Sequence, residues 1–225
     1  MTKPAPQTFT FVDIAGFSAL TEAMGDAEAA NLAHDFHTAV TERASEHGAH
    51  VVKSIGDAVM LRGERAEAAI ELALCAVQDI GGRHYFLVVR AGMHTGDAIE
   101  RHGDWFGSTV NVAARVSAEA PGAEVLLTDA TSRAAGALDG IELHERGRRV
   151  LKGIAEPVLL YAAARQGTSA AEHLPIDPVC RMAVDPQHAA GRLTHAGVEY
   201  HFCSLGCAGR FAAAPDAFAG RVPSG

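Results

Sequence analysis

The sequence has few cysteines and no long apolar run, and each shortage excludes a class of protein. Four cysteines in 225 residues are too few for a disulfide scaffold of this size. The longest uncharged apolar run is PVLLYAAA at 157–164, which is well short of a membrane span. No apolar segment typical of a signal peptide follows the N-terminal MTKPAPQ. We therefore expect a cytoplasmic protein that does not associate with membranes.

Basic residues are also scarce relative to acidic ones. The chain has 19 Lys and Arg against 27 Asp and Glu, a formal net charge of −8. We therefore expect no nucleic-acid partner, and a phosphate-bearing ligand would need local cations. The composition, 48% hydrophobic and 20% charged, is typical of a globular protein with a substantial core.

The distribution of the cysteines divides the chain into two parts. Three of the four lie in the last 50 residues, after a stretch without clear periodicity that ends in proline, RQGTSAAEHLPI. We predict a first domain at 1–164, a linker at 165–174 and a small cysteine-containing module at 175–225.

Strand and helix patterns alternate in the first domain. A strand over QTFTFVDIAGF enters a glycine turn, a helix is predicted over 25–48, and two short strands joined by Gly56 form a hairpin. A second helix over 65–82 and a long strand over 84–100 follow. The order β-α-β-β-α-β predicts an α+β fold with a ferredoxin-like core, whose helices lie on one face of the sheet.

Two aspartates follow strand patterns beside glycines, Asp13 in FVDIAGF and Asp57 in SIGDAVM. Carboxylates at strand ends can converge on Mg²⁺ or Mn²⁺, which prefer oxygen ligands. Gly16 allows backbone N–H groups to approach a phosphate chain. The structural alternative is that each aspartate only caps a turn.

Polar residues later in the domain complement these carboxylates. Asn111 and Arg115 are four positions apart in GDWFGSTVNVAAR, so they share one face of a predicted helix. An amide beside a guanidinium suits a ribose oxygen next to a phosphoryl group that gains negative charge. Arg90 and Lys152 add cations that could bind a polyphosphate.

The stretch KSIGDAV at 53–59 sets Lys53 four positions before Asp57. The two opposite charges could form a salt-bridged turn, or they could serve different ends of a nucleotide. Together with FVDIAGFSAL, RAGMHTGD, GDWFGSTVNVAAR and LKGIAEPVLLY, this stretch resembles the catalytic domain of class III nucleotidyl cyclases in order and spacing. The resemblance covers roughly residues 7–164.

The resemblance assigns a role to each of these polar residues. It implies two Mg²⁺ or Mn²⁺ ions bound by Asp13 and Asp57. The other assignments are Arg90 and Lys152 for the triphosphate, Asn111 and Arg115 for the ribose and the transition state, Lys53 and Asp104 for the purine, and Gly16 and Phe17 as further substrate-binding residues. None of these functional positions is replaced. The segment GDAIERHGD, between Gly96 and Asp104, resembles a compact bacterial subtype.

In this family the active sites form between two head-to-tail domains, which implies a homodimer with ATP as partner. Lys53 donates and Asp104 accepts, which matches the N1 acceptor and N6 donor of adenine. Guanine reverses both groups, at a cost of roughly 1–3 kcal/mol for each buried mismatch. We therefore predict an adenylate cyclase. The alternatives are a guanylate cyclase and a catalytically silent nucleotide-binding module.

The cysteine-containing module has the spacing of a metal site. Cys203 and Cys207 are four apart, a spacer of 22 residues separates Cys180 from Cys203, and His201 is predicted to share a strand face with Cys203. Three thiolates and an imidazole suit Zn²⁺, and a softer site could take Cu⁺. His195 and Asp177 are alternative fourth ligands, and a packed module without metal is a further alternative. The stretch resembles the YHS domain over about 175–219, a module that could regulate the cyclase.

Overall fold

The computed structural model describes residues 5–80, 87–167 and 175–219. Its strands are β1 Gln7–Ile14, β2 His50–Ile55, β3 Ala58–Gly63, β4 Val89–Gly96, β5 Ile99–Arg101, β6 Asp104–Phe106, β7 Val125–Thr128, β8 Ile141–Arg149, β9 Val158–Arg165, β10 Gly191–His195 and β11 Val198–Phe202. Its α-helices are α1 Phe17–Met24, α2 Asp26–Glu46, α3 Ala66–Cys75, α4 Ser108–Glu119, α5 Asp129–Ala135, α6 Leu205–Ala213 and α7 Pro215–Ala219.

A seven-stranded sheet in the order β2-β3-β1-β4-β7-β9-β8 forms the frame of the first domain. Within the first four strands of this order, each neighbouring pair is antiparallel, and β3 lies between β2 and β1 as in the ferredoxin-like order. β7 adds to β4 in parallel, and β9 and β8 extend the sheet antiparallel. The predicted α+β, ferredoxin-like fold is confirmed.

Successive side chains of β1 point to opposite faces of this sheet. Val12 and Ile14 join the core that α2 and α3 cover, while Phe9 and Phe11 pack in a second cluster with Ala113 of α4. The core helices therefore share one face, as predicted, and α4 covers the opposite face. This position of α4 matters because the helix carries Asn111 and Arg115.

Gly92 lets α4 approach the sheet closely. A Cβ atom at this position would lie 2.0 Å from the backbone nitrogen of Ser117, a distance at which the helix or the strand must shift. The glycine in β4 thus sets the height of α4 above the sheet.

The structure differs from the predicted elements in three places. Helix α1 follows Gly16 directly, where only a turn was predicted. The long strand predicted over 84–100 is two strands, since β4 ends at Gly96 and β5 begins at Ile99. The helix predicted over 65–82 ends at Cys75 and continues as a π-helical turn, Ala76–Ile80.

Some predicted positions lie outside the described residues. These are residues 84–86 of the long strand, Gly81 and Gly82 at the end of the second helix, and residues 168–174 of the linker.

The C-terminal module is a β10–β11 hairpin followed by α6 and α7. Phe202 and Phe211 are almost fully buried, with ring centroids 5.2 Å apart. Both belong to the same cluster of buried residues as Ile14 and Leu20 of the first domain. The module is therefore packed against the first domain. Among the described residues, the helices are all too short or too polar to cross a membrane.

Candidate active site and metal centre

The two predicted metal-binding aspartates converge at the end of β1. Asp13 is the penultimate residue of β1, and Asp57 lies in the turn between β2 and β3. The Oδ2 atom of Asp57 accepts a hydrogen bond from the Ile14 backbone nitrogen at 3.2 Å, which draws the turn onto the end of β1. Burial raises the pKa of the Asp57 carboxyl, and the nearby Asp13 carboxylate raises it further.

These residues fit a divalent cation by two criteria. Both offer carboxylate oxygens, the ligand type that Mg²⁺ and Mn²⁺ prefer. The pair also places two negative groups together in a half-buried position, and a cation there would offset their repulsion.

Arg90 contacts the carboxylate side of this site. It lies opposite Asp13 in the β1–β4 register, and its Nε donates to Asp13 Oδ1 at 2.5 Å. Its Nη1 reaches the carbonyl oxygen of Ala120 at 3.3 Å, beyond the end of α4. Ser117 was not singled out from the sequence; its Oγ donates to Phe11 O at 3.2 Å and lies 3.4 Å from Asp13 Oδ2. A serine inside a helix carries no sequence signal for such a role.

The glycine turn follows the carboxylates directly. Gly16 has a φ of 79° and is the N-cap of α1, so the backbone turns there in the left-handed region that glycine adopts without strain. Its carbonyl accepts hydrogen bonds from Ala19 N at 2.9 Å and Leu20 N at 3.1 Å. The backbone at Gly16 and Phe17 is thus held beside Asp13, at the N-terminus of a helix, which favours anions.

Lys53 and Asp104, the predicted purine-selecting residues, contact each other. The Lys53 Nζ donates to Asp104 Oδ2 at 2.6 Å, and this hydrogen bond lowers the pKa of the Asp104 carboxyl. Asp104 begins β6 of the short β5–β6 ribbon, which packs beside β2. The alternative of a salt bridge between Lys53 and Asp57 is therefore wrong, because the two residues have different partners.

Asn111, Arg115 and Lys152 point into solvent. Asn111 and Arg115 lie one turn apart on α4, whose opposite face is buried, and Lys152 lies in the turn between β8 and β9. None of the three has a side-chain hydrogen bond or ion pair to another described residue. Three polar groups are thus presented outward from one protomer.

The cysteines of the C-terminal module converge with Asp177. The three Sγ atoms and one Asp177 carboxylate oxygen all lie within 4.8 Å of one another. The Sγ atoms of Cys180 and Cys203 are 3.3 Å apart, and those of Cys203 and Cys207 are 3.9 Å apart. Tetrahedral zinc with bonds of about 2.3 Å requires sulfur atoms about 3.8 Å apart, so the cluster fits such an ion.

Asp177 also connects the segments that carry the cysteines. It is fully buried, and its Oδ1 accepts from Val179 N at 2.8 Å while its Oδ2 accepts from Cys203 N at 2.9 Å. Burial raises the pKa of the Asp177 carboxyl. Hydrogen bonds from Cys180 and then Cys203 lower the pKa of the Cys207 thiol.

The predicted fourth ligand, His201, lies outside this cluster. Its Nε2 is 3.2 Å from Glu199 Oε1, and its Nδ1 is buried without a hydrogen-bond partner among the described residues. His195 is also outside, since its Nε2 contacts Asp216 Oδ1 at 2.9 Å. Of the three candidate residues, Asp177 is the one that lies within the cysteine cluster.

Fold and geometry together define a nucleotide-cyclase type of domain: a ferredoxin-like core with paired carboxylates at the end of β1 and outward-facing polar residues on α4. Comparison with known families agrees. Residues 3–164 match the adenylate and guanylate cyclase catalytic domain, and residues 176–222 match the YHS domain. The chain therefore belongs to the adenylate and guanylate cyclase family and continues into a YHS domain.

Relatives and solved structures agree with this assignment. A pH-sensitive adenylate cyclase of Mycobacterium tuberculosis is 34% identical over 173 residues, which are 74% of this chain and 43% of the relative. An uncharacterised protein of the same species is 35% identical over 67% of this chain and 39% of its own length. The chain thus spans about two-fifths of the length of these curated relatives.

Solved structures share this fold. An adenylate cyclase structure from Trypanosoma brucei, described in its monomeric state, is 25% identical with a TM-score of 0.63 and covers 75% of this chain and 92% of that one. The adenylyl cyclase CyaB of P. aeruginosa has a TM-score of 0.60 at 22% identity, over 72% of this chain and 94% of the other.

Proposed function

We propose that the chain is an adenylate cyclase that converts ATP to 3′,5′-cyclic AMP and pyrophosphate at sites shared between two protomers. The main support for this proposal is that the functional groups fall into two separate sets. The carboxylates of Asp13 and Asp57 converge at the end of β1, whereas Asn111 and Arg115 are exposed on α4 without partners among the described residues. A second protomer in head-to-tail orientation would join the two half-sites.

Exposed apolar residues support a homodimer. Large side chains on the elements that carry Lys53, Asp104 and Lys152 are more than half exposed, namely Ile55 of β2, Ile99 and Phe106 of the ribbon and Val150 of the β8–β9 turn. Ile55, Ile99 and Phe106 lie at the β2 edge of the sheet and on the ribbon beside it, whereas Val150 lies at the β8 edge. Exposed apolar groups beside functional residues are typical of interaction surfaces.

In the proposed reaction, the ribose 3′-oxygen attacks the α-phosphorus and the bond to the β-phosphate bridging oxygen breaks. Pyrophosphate leaves with that electron pair, and the 3′-hydroxyl proton passes to solvent. Asn111 orients the ribose, and Arg115 offsets negative charge that grows on the α-phosphoryl oxygens. Asp13 and Asp57 would hold two divalent ions, Mg²⁺ or Mn²⁺, which when bound lower the pKa of the 3′-hydroxyl and neutralise the triphosphate.

Arg90, Lys152 and the Gly16–Phe17 backbone hold the triphosphate in this proposal. Lys53 and Asp104 select adenine by hydrogen bonds to its N1 and N6 atoms. Several relatives bear the name adenylate cyclase, including one from Streptomyces coelicolor that is 34% identical over 120 residues. This naming favours ATP over GTP.

The direct test incubates the purified chain with ATP or GTP and Mn²⁺ and identifies the cyclic product by mass spectrometry. We expect cyclic AMP from ATP and little product from GTP. Arg115→Ala, which removes the outward-facing guanidinium, should abolish the product, while the protein without nucleotide stays folded. Absence of cyclic product from both nucleotides would instead support the silent nucleotide-binding module.

We also propose that Cys180, Cys203, Cys207 and Asp177 bind one Zn²⁺ or Cu⁺ ion. All three thiols are free, which suits the reducing cytoplasm where ATP is available. Titration with Co²⁺ reports thiolate ligation by its charge-transfer absorption. We expect Cys203→Ser to lose these bands and His201→Ala to keep them. Bands that persist in Cys203→Ser, or disappear in His201→Ala, would contradict this ligand set.

A further inference from the structure

The YHS module contacts the first domain at the turn that follows the catalytic carboxylates. A Cβ atom built on Gly16 would lie 2.6 Å from both Cβ and Cγ of Arg181. The aliphatic stem of Arg181 therefore fills the space where any other residue at position 16 would place its side chain. The left-handed turn of Gly16 and the stem of Arg181 are complementary surfaces.

The position of Arg181 is fixed by the cysteine cluster. Arg181 follows Cys180 directly, and its backbone nitrogen donates to Asp177 O at 2.9 Å. Asp177 in turn accepts from Val179 N and Cys203 N through its carboxylate. Arg181 itself has a φ of 69°, a left-handed conformation that is unfavourable for a non-glycine residue. The loop holds the side chain against Gly16 in spite of this cost.

A second contact joins the other cysteine segment to the same helix. Arg210 lies three residues after Cys207 on α6, and its Nη1 donates to the Glu22 carbonyl oxygen of α1 at 3.2 Å. Both segments that carry cysteines thus contact the segment formed by the Gly16 turn and α1. Buried residues of the module, among them Val179 and Phe211, continue the same apolar cluster as Leu20 of α1.

We propose that Arg181 is a positioning residue of the cyclase site: it holds the Gly16–Phe17 turn in the conformation that receives the triphosphate, and so couples the cysteine cluster to nucleotide affinity. This inference rests on the proposed function for the role of the turn. Arg181 acts through Gly16, so its loss should leave the turn ordered for only part of the time. A site that is competent for a tenth to a third of the time binds its ligand about three to ten times more weakly.

Such a loss predicts a particular kinetic pattern. Once the nucleotide is bound the turn is in place, so KM should rise while kcat changes little. The variants are Arg181→Gly, which removes the stem and relieves the left-handed backbone, Arg181→Ala, which keeps only Cβ, and Arg181→Lys, which keeps the stem. Arg192→Ala is the matched control, since Arg192 is exposed on β10 and its guanidinium contacts Pro186 O within the module.

The full-length proteins are compared by KM and kcat for ATP, by equilibrium binding of the unreactive analogue α,β-methylene-ATP, and by hydrogen exchange of α1. We expect Arg181→Gly to raise KM and the analogue Kd about three- to tenfold and to accelerate exchange in α1. Arg181→Ala should give a smaller rise, and Arg181→Lys and Arg192→Ala should match wild type. Retained Co²⁺ absorption bands show that the module is still folded. If Arg181→Gly loses these bands, the KM and analogue Kd of Arg181→Ala are used to test the proposal.

The remaining outcomes separate this inference from the proposed function. Unchanged or lowered KM and analogue Kd in both Arg181→Gly and Arg181→Ala would overturn it, and a lowered value would indicate that the module obstructs the site. If wild type binds the analogue but forms no cyclic product, the proposed function fails while the role of Arg181 is still read from the analogue Kd. Absence of analogue binding by wild type would overturn both.

Discussion

At Lys53 and Asp104, two opposite charges lie 2.6 Å apart where both are also proposed to meet a purine. Their side chains are 38% and 32% exposed, so the ion pair is solvated and its net contribution to stability is small. A weak pair can separate when adenine offers a partner to each charge. The hydrogen bond also keeps both groups oriented toward the same space before a nucleotide enters.

The base selectivity of this pair can be tested by reversing its hydrogen-bonding pattern. In Lys53→Glu with Asp104→Cys, the donor to N1 and the acceptor for N6 are both lost. Two mismatched contacts of roughly 1–3 kcal/mol each should lower the ratio of kcat/KM for ATP to that for GTP at least about thirtyfold. Product formation with each nucleotide is measured by mass spectrometry.

The control for this double variant is Arg101→Glu, a charge reversal at an exposed position of the same ribbon. It should leave the ratio near that of wild type. Full ATP selectivity in the double variant would remove Lys53 and Asp104 from the base site.

Individual residues also show how far the sequence predicts the sites. The motifs predict that Asp13 and Asp57 act together, and the structure brings them to one strand end. The fourth member of the cysteine cluster was expected to be His201, but the structure places Asp177 there. The sequence places His201 two positions before Cys203 in a predicted strand, which favours His201 from spacing alone. Asp177 joins the cluster through a loop whose path depends on hydrogen bonds from Val179 N and Cys203 N.

At the scale of elements, the position of α4 decides whether Asn111 and Arg115 can act. The helix packs on β4 and β1, and the close approach at Gly92 fixes its height. The helix itself was predictable because Val112 and Val116 repeat at helical spacing. Its depth on the sheet was not, because it depends on a glycine in another strand.

Substitution of Gly92 by Ala tests this close approach. The added Cβ would lie 2.0 Å from Ser117 N, so α4 must move, at a cost of about 1–3 kcal/mol for overpacking. We expect a lower melting temperature and a loss of cyclase activity larger than the loss of folded protein, because α4 carries Arg115. Thermal unfolding and activity per folded molecule are the measurements.

Gly63→Ala serves as the comparison for Gly92→Ala. A Cβ there would have ordinary contacts, 3.8 Å from Arg65 O and 4.0 Å from Ala69 Cβ. It should change melting temperature and activity little. Equal effects of the two substitutions on melting temperature and activity would contradict the claim that the close contact at Gly92 positions α4.

Helix α1 was not predicted from the sequence, for two local reasons. It has eight residues, and its N-cap is Gly16, which offers no side-chain oxygen to cap the helix. Short length and a missing cap leave little pattern to detect. The contact of this helix with Arg210 and of its turn with Arg181 is equally absent from local sequence, since it joins segments more than 160 positions apart.

At the scale of the whole molecule, the two kinds of functional group are separated within one chain. Asp13 lies beneath the end of α4, 3.4 Å from Ser117 Oγ, and Asp57 lies in the β2–β3 turn beside it, whereas Asn111 and Arg115 are on the exposed face of α4. If the active site needs both groups around one nucleotide, the proposed second protomer would supply the half that faces away from the carboxylates. Each site of a two-fold dimer would then take its carboxylates from one protomer and its arginine from the other.

Mixing two inactive variants tests this shared arrangement. Asp57→Ala and Arg115→Ala should each be inactive as homodimers, because each change damages both sites. A heterodimer carries one doubly damaged site and one intact site. Random exchange of equal amounts yields half heterodimers, so about a quarter of wild-type activity should return if the sites are independent.

Mixing Asp57→Ala with Asp13→Ala is the control. Both changes affect the carboxylate half, so every site stays damaged and no activity should return. Recovery in the first mixture alone supports composite sites, whereas no recovery despite subunit exchange, demonstrated with differently tagged chains, would contradict them.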